Sequence, residues 1–84
     1  MSFRVIDARY IHDFVLRLRF SDGTAGDLDL RAELDGLIFE PLRNIHFFKQ
    51  FRIDPDLHTL VWPNGADFAP EFLHANIRVI ASRP

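Results

Sequence analysis

The clearest signal in the chain is an alternation. In Phe14-Val15-Leu16-Arg17-Leu18-Arg19-Phe20 every second residue is apolar, the period of a strand with one face in a core. Its inner face is Phe14, Leu16, Leu18 and Phe20. Ser21-Asp22-Gly23 then supplies turn residues, and the stretch from Thr24 to Leu30 reads as a returning strand. Two registers compete. A two-residue Asp22-Gly23 turn sets Leu18 opposite Asp27 and Leu16 opposite Asp29, with carboxylates on the apolar face. A three-residue loop with Gly23 left-handed instead pairs Phe20 with Thr24, Leu16 with Leu28 and Phe14 with Leu30, and sets Arg17 across from Asp27 on the outer face. The second is the predicted register, with Gly26 opposite Leu18. Upstream, Ile6, Ala8 and Tyr10 share one face of a strand running from Arg4 to Ile11. A loop at Ile11-His12-Asp13 pairs Tyr10 with Phe14 and Ala8 with Leu16. The N-terminal third is therefore predicted to be a three-stranded antiparallel meander whose apolar face needs a cover.

The middle of the chain supplies that cover. Leu30 to Leu34 reads as a short helix with Asp29 as N-cap and Gly36 as stop. Pro41 fits the first turn of a second short helix, and Ile45 to Gln50 carries Phe47, Phe48 and Phe51 at helical spacing. A second hairpin crosses Asp54-Pro55-Asp56-Leu57, between strands at Phe51 to Asp54 and Thr59 to Trp62, in a register the pattern leaves open. Trp62-Pro63-Asn64-Gly65 is another turn, and Pro70 opens a helix through Asn76. The tail from Ile77 to Pro84 either extends that helix or forms a last strand. The predicted class is α+β in a single domain spanning residues 1–84: an N-terminal three-stranded antiparallel meander packed with short helices, a second short hairpin and a C-terminal helix.

Composition narrows the chemistry. At 84 residues without a single cysteine the chain has no crosslink, so nine phenylalanines, Trp62 and Tyr10 must supply the apolar area. The missing cysteines also remove a disulfide framework, a zinc ribbon and a thiol nucleophile, and they suit a reducing cytosol. Apolar runs such as Phe14-Val15-Leu16 are three residues long, whereas a signal-peptide core needs about 7 and a spanning helix about 18, so a cytoplasmic protein without a membrane segment is expected. A net charge of −2 gives no overall attraction to phosphate, but nine of the ten basic residues are arginine, which suits bidentate contacts.

Candidate sites are few. His12, His46, His58 and His74 have no helical i, i+3 or i, i+4 spacing that aims two imidazoles at one metal, so no metal or other cofactor is expected. Ser2, Ser21 and Ser82 lack a nucleophile-elbow context, and the four glycines are too scattered to cradle phosphate. Asp22 and Asp67 form a carboxylate pair if their loops meet. The simpler roles are a turn-forming Asp22 and an Asp67 that caps the Trp62 turn or the last helix. The segment Trp62, Pro63, Asn64 and Asp67, with Asp22, is the candidate partner-binding surface; Trp62 is open to two roles, hot spot or core anchor. The alternative surface is Arg9, Arg17 and Arg19, outward on adjacent strands and suited to nucleic acid.

Phe20-Ser21-Asp22-Gly23 with Leu28-Asp29-Leu30, Phe39-Glu40-Pro41-Leu42, and Trp62-Pro63-Asn64-Gly65-Ala66-Asp67 with Pro70-Glu71 together resemble the small bacterial domain-of-unknown-function family 2442, from about Val5 to Leu73. The resemblance implies an α+β fold, and members encoded beside another small protein in an arrangement like a toxin-antitoxin pair. Some members carry an added helix-turn-helix domain, which is not expected in this chain. No catalytic residue comes with the resemblance. The expected function is therefore a non-enzymatic protein-interaction module, the antitoxin-like half of such a pair, with a small protein encoded nearby as partner and a homodimer through a sheet edge as a further association. A nucleic-acid-binding accessory is the alternative.

Overall fold

The computed structural model describes residues 3–81, in the order β1 (Val5–His12), β2 (Val15–Phe20), β3 (Ala25–Asp29), α1 (Ile45–Phe48), β4 (Arg52–Ile53), β5 (Leu60–Val61), α2 (Pro70–Asn76) and β6 (Arg78–Ala81). Short 3-10 turns occupy Arg31–Glu33 and Glu40–Arg43. The β2–β3 hairpin has the predicted register: Leu16 faces Leu28, Leu18 faces Gly26 and Arg17 faces Asp27. Its loop closes on Phe20, whose N–H donates to the Thr24 carbonyl (2.8 Å) and whose carbonyl accepts from Gly23 (3.0 Å). Gly23 has φ 88°, a conformation that costs glycine little.

The β1–β2 register differs from the predicted one by two residues. Tyr10 faces Leu16, Ala8 faces Leu18, and His12 faces Val15 across a tight Asp13-Phe14 turn with Asp13 at φ 44°. A slip of two keeps every side chain on its own face, so Ala8 and Tyr10 still pack on the core. The longer pairing brings Val5 opposite Phe20. It also frees Phe14 to meet the Phe48 ring edge-on at 5.2 Å, while its carbonyl accepts from Leu30 (2.9 Å). An irregularity between Val5 and Asp7 turns Val5 inward and leaves Ile6 exposed, against the expectation that Ile6 lies on the core face.

The tail resolves as a strand. β6 pairs with β3, setting Arg78 against Asp27 and Val79 against Gly26, and the sheet order is β1-β2-β3-β6. Ser2 and the last three tail residues, Ser82-Arg83-Pro84, lie outside the described residues.

One face of the sheet is covered by the short helices and the second hairpin, which lie between β3 and β6 in the chain. The Asp29 carboxylate accepts from the Arg31 amide (2.9 Å), but the segment it starts is a single 3-10 turn and not an α-helix. Asn44 caps α1 by accepting from Phe47 (3.3 Å). The open register of the second hairpin is settled by Asp54: its side chain accepts from the amides of Asp56 and Leu57 (2.8 and 2.9 Å), and its backbone bonds Thr59 and His58. Arg52 then faces Val61 and Ile53 faces Leu60. Leu16, Leu18, Phe20, Leu28 and Leu30 from the sheet side pack with Leu34, Leu42, Phe48, Leu60, Trp62, Phe68 and Leu73 from the cover. Among the described residues no helix is long and apolar enough to cross a membrane.

Gly26 is where β6 comes closest. A Cβ there would stand 2.9 Å from the Arg78 carbonyl carbon and nearer still to its oxygen, both backbone atoms that cannot swing aside. Gly26→Ala is expected to destabilise the domain by about 1–3 kcal/mol in urea unfolding. An unchanged midpoint would show that β6 does not lie against β3 in this register.

Candidate interaction surface

Two exposed turns share one construction. In Phe20-Ser21-Asp22-Gly23-Thr24 and in Trp62-Pro63-Asn64-Gly65-Ala66 the first amide donates to the fifth carbonyl, at 2.8 and 2.9 Å, and the glycine amide donates back to the first carbonyl, at 3.0 and 2.9 Å. Both glycines have φ 88°. In both, the side-chain Oδ1 of the third residue accepts from the fifth amide, at 3.0 Å for Asp22 and 3.1 Å for Asn64.

What differs is the remaining atom of that third side chain. Asp22 Oδ2 accepts from the Thr24 hydroxyl (3.0 Å) and from His74 Nε2 on α2 (2.9 Å). Asn64 Nδ2 donates to the Ile38 carbonyl (2.8 Å). A carboxylate has no proton for a carbonyl, and an amide brings no charge to an imidazole, so each residue type matches its distant partner.

Of the expected partner-binding residues, Trp62 is 2% exposed and serves the core. Its Nε1–H donates to the Phe48 carbonyl (2.8 Å), and its ring meets those of Phe48, Phe51 and Phe68 at 5.8 to 6.4 Å. Pro63, Asn64, Asp67 and Asp22 are exposed. The structure does not bring Asp22 and Asp67 into one site: Asp22 is bonded to Thr24 and His74, whereas Asp67 pairs through its backbone with Val61. Nor is Asp67 a helix cap, because the N-cap of α2 is Ala69 and no side chain bonds there. Among the described residues no group of three His, Cys, Asp or Glu side chains is placed to hold a metal ion.

The sequence pattern missed the loop that Asn64 holds. Leu37 is 95% exposed and Ile38 43%, and Leu37, Glu40 and Pro41 line a shallow depression of about 400 Å³. The apolar run Leu37-Ile38-Phe39 between Gly36 and Pro41, bracketed by chain-breaking residues, was the available signal.

The uncovered face of the sheet carries Arg9, Arg17 and Arg19. Arg9 faces Arg17, which faces Asp27, which faces Arg78, a row across all four strands. Arg17 grips Asp27 with two bonds (2.8 and 3.2 Å), holding that carboxyl below its ordinary range, and Arg9 Nε lies 3.7 Å from Asp7. Carboxylates thus offset much of the arginine charge on this face.

The fold and its surfaces define a small two-layer α+β domain with one sheet face covered by short helices and a hairpin. The chain belongs to the family described as "Protein of unknown function (DUF2442)", whose sequence profile matches residues 5–79 and so spans both turns and the loop between them. No curated protein and no solved structure matches it.

The Asp22 contacts give the fold an acid limit. The Thr24 amide holds the Asp22 carboxyl below its ordinary 3.8, burial opposes this, and bonds from His74 and the Thr24 hydroxyl add to the lowering. A depressed folded pKa means the stabilisation is full above the ordinary value and is lost as pH falls through the folded one. Melting temperatures followed from about pH 6 to about pH 2 should drop below pH 4, and Asp22→Asn should flatten that drop. An identical acid profile in the variant would contradict the Asp22 link.

Proposed function

We propose that this domain is a protein-interaction module that docks a small partner protein through the loop at Leu37 and Ile38 and the adjoining Pro63-Asn64 turn. The carrying observation is the near-complete exposure of Leu37 on a segment pinned by the Asn64 bond to Ile38. A large apolar side chain presented on a fixed backbone is ordered before binding, which lowers the cost of burying it in a partner. Glu40 beside it adds a negative rim to an apolar centre, the layout in which a central anchor supplies most of the affinity.

The family resemblance supports a finer reading: the antitoxin-like half of a bacterial toxin-antitoxin-type pair in the cytoplasm, with its partner encoded nearby. Nucleic acid on the Arg9, Arg17 and Arg19 face is the weaker reading, since Asp7 and Asp27 sit among those arginines. It requires binding to DNA or RNA that falls steeply with salt.

The test is co-purification of the tagged chain with the product of the neighbouring gene, followed by affinity measurement. Leu37→Asp should leave the melting temperature unchanged and weaken binding by roughly 30-fold or more, the effect of a hot spot of about 2 kcal/mol. Equal affinity for the variant, or failure of the two products to associate, would overturn the reading.

A further inference from the structure

We infer that β1 is a self-pairing edge, joining β1 of a second copy antiparallel about a twofold axis at Ala8. β1 is the edge strand of the sheet and eight residues long. Its first residue is already engaged on the open side, where the Val5 amide donates to the His58 carbonyl (2.9 Å). Further along, strand alternation decides which backbone groups face outward. Phe20 is turned toward β3, bonded to Thr24 and Gly23, so Arg19 and Arg17 face β1. Asp7 and Arg9 stand opposite these and spend their N–H and C=O groups on β2, leaving those of Ala8 and Tyr10 directed to the open edge.

An antiparallel pairing centred on Ala8 lets the two Ala8 residues exchange both backbone bonds. It places Asp7 opposite Arg9 of the second copy and Arg9 opposite its Asp7. The neighbouring twofold registers set like against like: a centre at Arg9 opposes two arginines, and a centre at Asp7 opposes two aspartates. Slips by one residue put core-side residues against outer ones. The Ala8 register alone among these matches charge with charge.

Within one chain Arg9 already meets a carboxylate, its own Asp7 at 3.7 Å, and the pairing adds a second. Arg9 stands directly opposite Arg17, a like-charge pair that weakens a sheet. Arg17 has Asp27 on its far side, whereas the far side of Arg9 is the open edge. A second copy brings a further carboxylate to that side, beyond the Asp7 that Arg9 meets in its own chain. The side chains are accessible for it, Arg9 being 77% and Asp7 47% exposed. Charged residues on an edge commonly guard it against association, but a guard of one sign repels a copy of itself, and this Asp7–Arg9 pair is self-complementary.

The inference is independent of the Leu37 surface, because it uses different residues and a different partner. Sedimentation of the wild-type chain from about 10 μM to about 1 mM should show the mass rising from 9.8 kDa toward twice that value. Arg9→Asp alone and Asp7→Arg alone should each weaken self-association by roughly 30-fold, since each turns two symmetric attractions into repulsions. Mixing the two variants should restore association, and the double swap carrying both changes in one chain should dimerise by itself. Circular dichroism of each variant confirms that it is folded. A wild-type chain that stays monomeric throughout, reversals without effect on mass, or a mixture that does not associate would each overturn the pairing.

Discussion

The hydrogen bond from the Trp62 indole to the Phe48 carbonyl is the contact on which the covering layer depends. α1 is a single turn whose Ile45 and Phe47 carbonyls accept from Lys49 and Gln50, while the carbonyl of its last residue, Phe48, takes its proton from the Trp62 indole. A buried indole N–H needs an acceptor for the same reason a buried carbonyl needs a donor, and here each answers the other. Leaving either unmet costs about 1–3 kcal/mol, and burying the ring itself is worth about 4–6 kcal/mol, against a total stability of roughly 5–15 kcal/mol for a domain. The bond joins the end of β5 to α1, and the rings of Phe48, Phe51 and Phe68 gather around the indole. Phe48 in turn carries the contact to Phe14 and Tyr10 on the sheet side.

From that anchor the chain reaches its surface through one turn used twice. The Trp62 turn begins on the anchored residue, so its third position, Asn64, is placed by the core and in turn places Ile38 and Leu37. The Phe20 turn likewise begins on a fully buried ring, and its third position, Asp22, ties the β2–β3 loop to His74, which stacks on Phe3 at 3.6 Å. In each case a buried aromatic fixes the turn and an Asp or Asn spends its spare atom on a segment far away in sequence. An amide suits the carbonyl of an uncharged apolar loop, and a carboxylate suits an imidazole.

The β2–β3 register was legible because a wrong turn length would have put Asp27 and Asp29 into the core, a penalty visible in the pattern itself. The α2 helix was legible from Pro70. The β1 register was not, because a slip of two residues changes no side chain's face and alternation is blind to it. Ile6 escaped for a related reason: the irregularity beside Val5 breaks the period that placed it. Of the candidate surface, Pro63 and Asn64 were read correctly as an exposed turn, but the role of Trp62 depended on Phe48, fourteen residues away, and the exposure of Leu37 depended on the Asn64 bond across twenty-six. Such long-range partners leave no local trace.

The measurement that bears most directly on the anchoring role of Trp62 is hydrogen exchange of its indole N–H, followed by NMR beside the amides of Leu16 and Leu18. An indole proton that holds the covering layer in place opens only when the whole domain unfolds, so its exchange should be as slow as that of the central strand and should slow in step with it as stability is raised. Exchange many-fold faster than the β2 amides would mean that the Trp62 turn opens on its own, and the Leu37 loop would then not be held by the core.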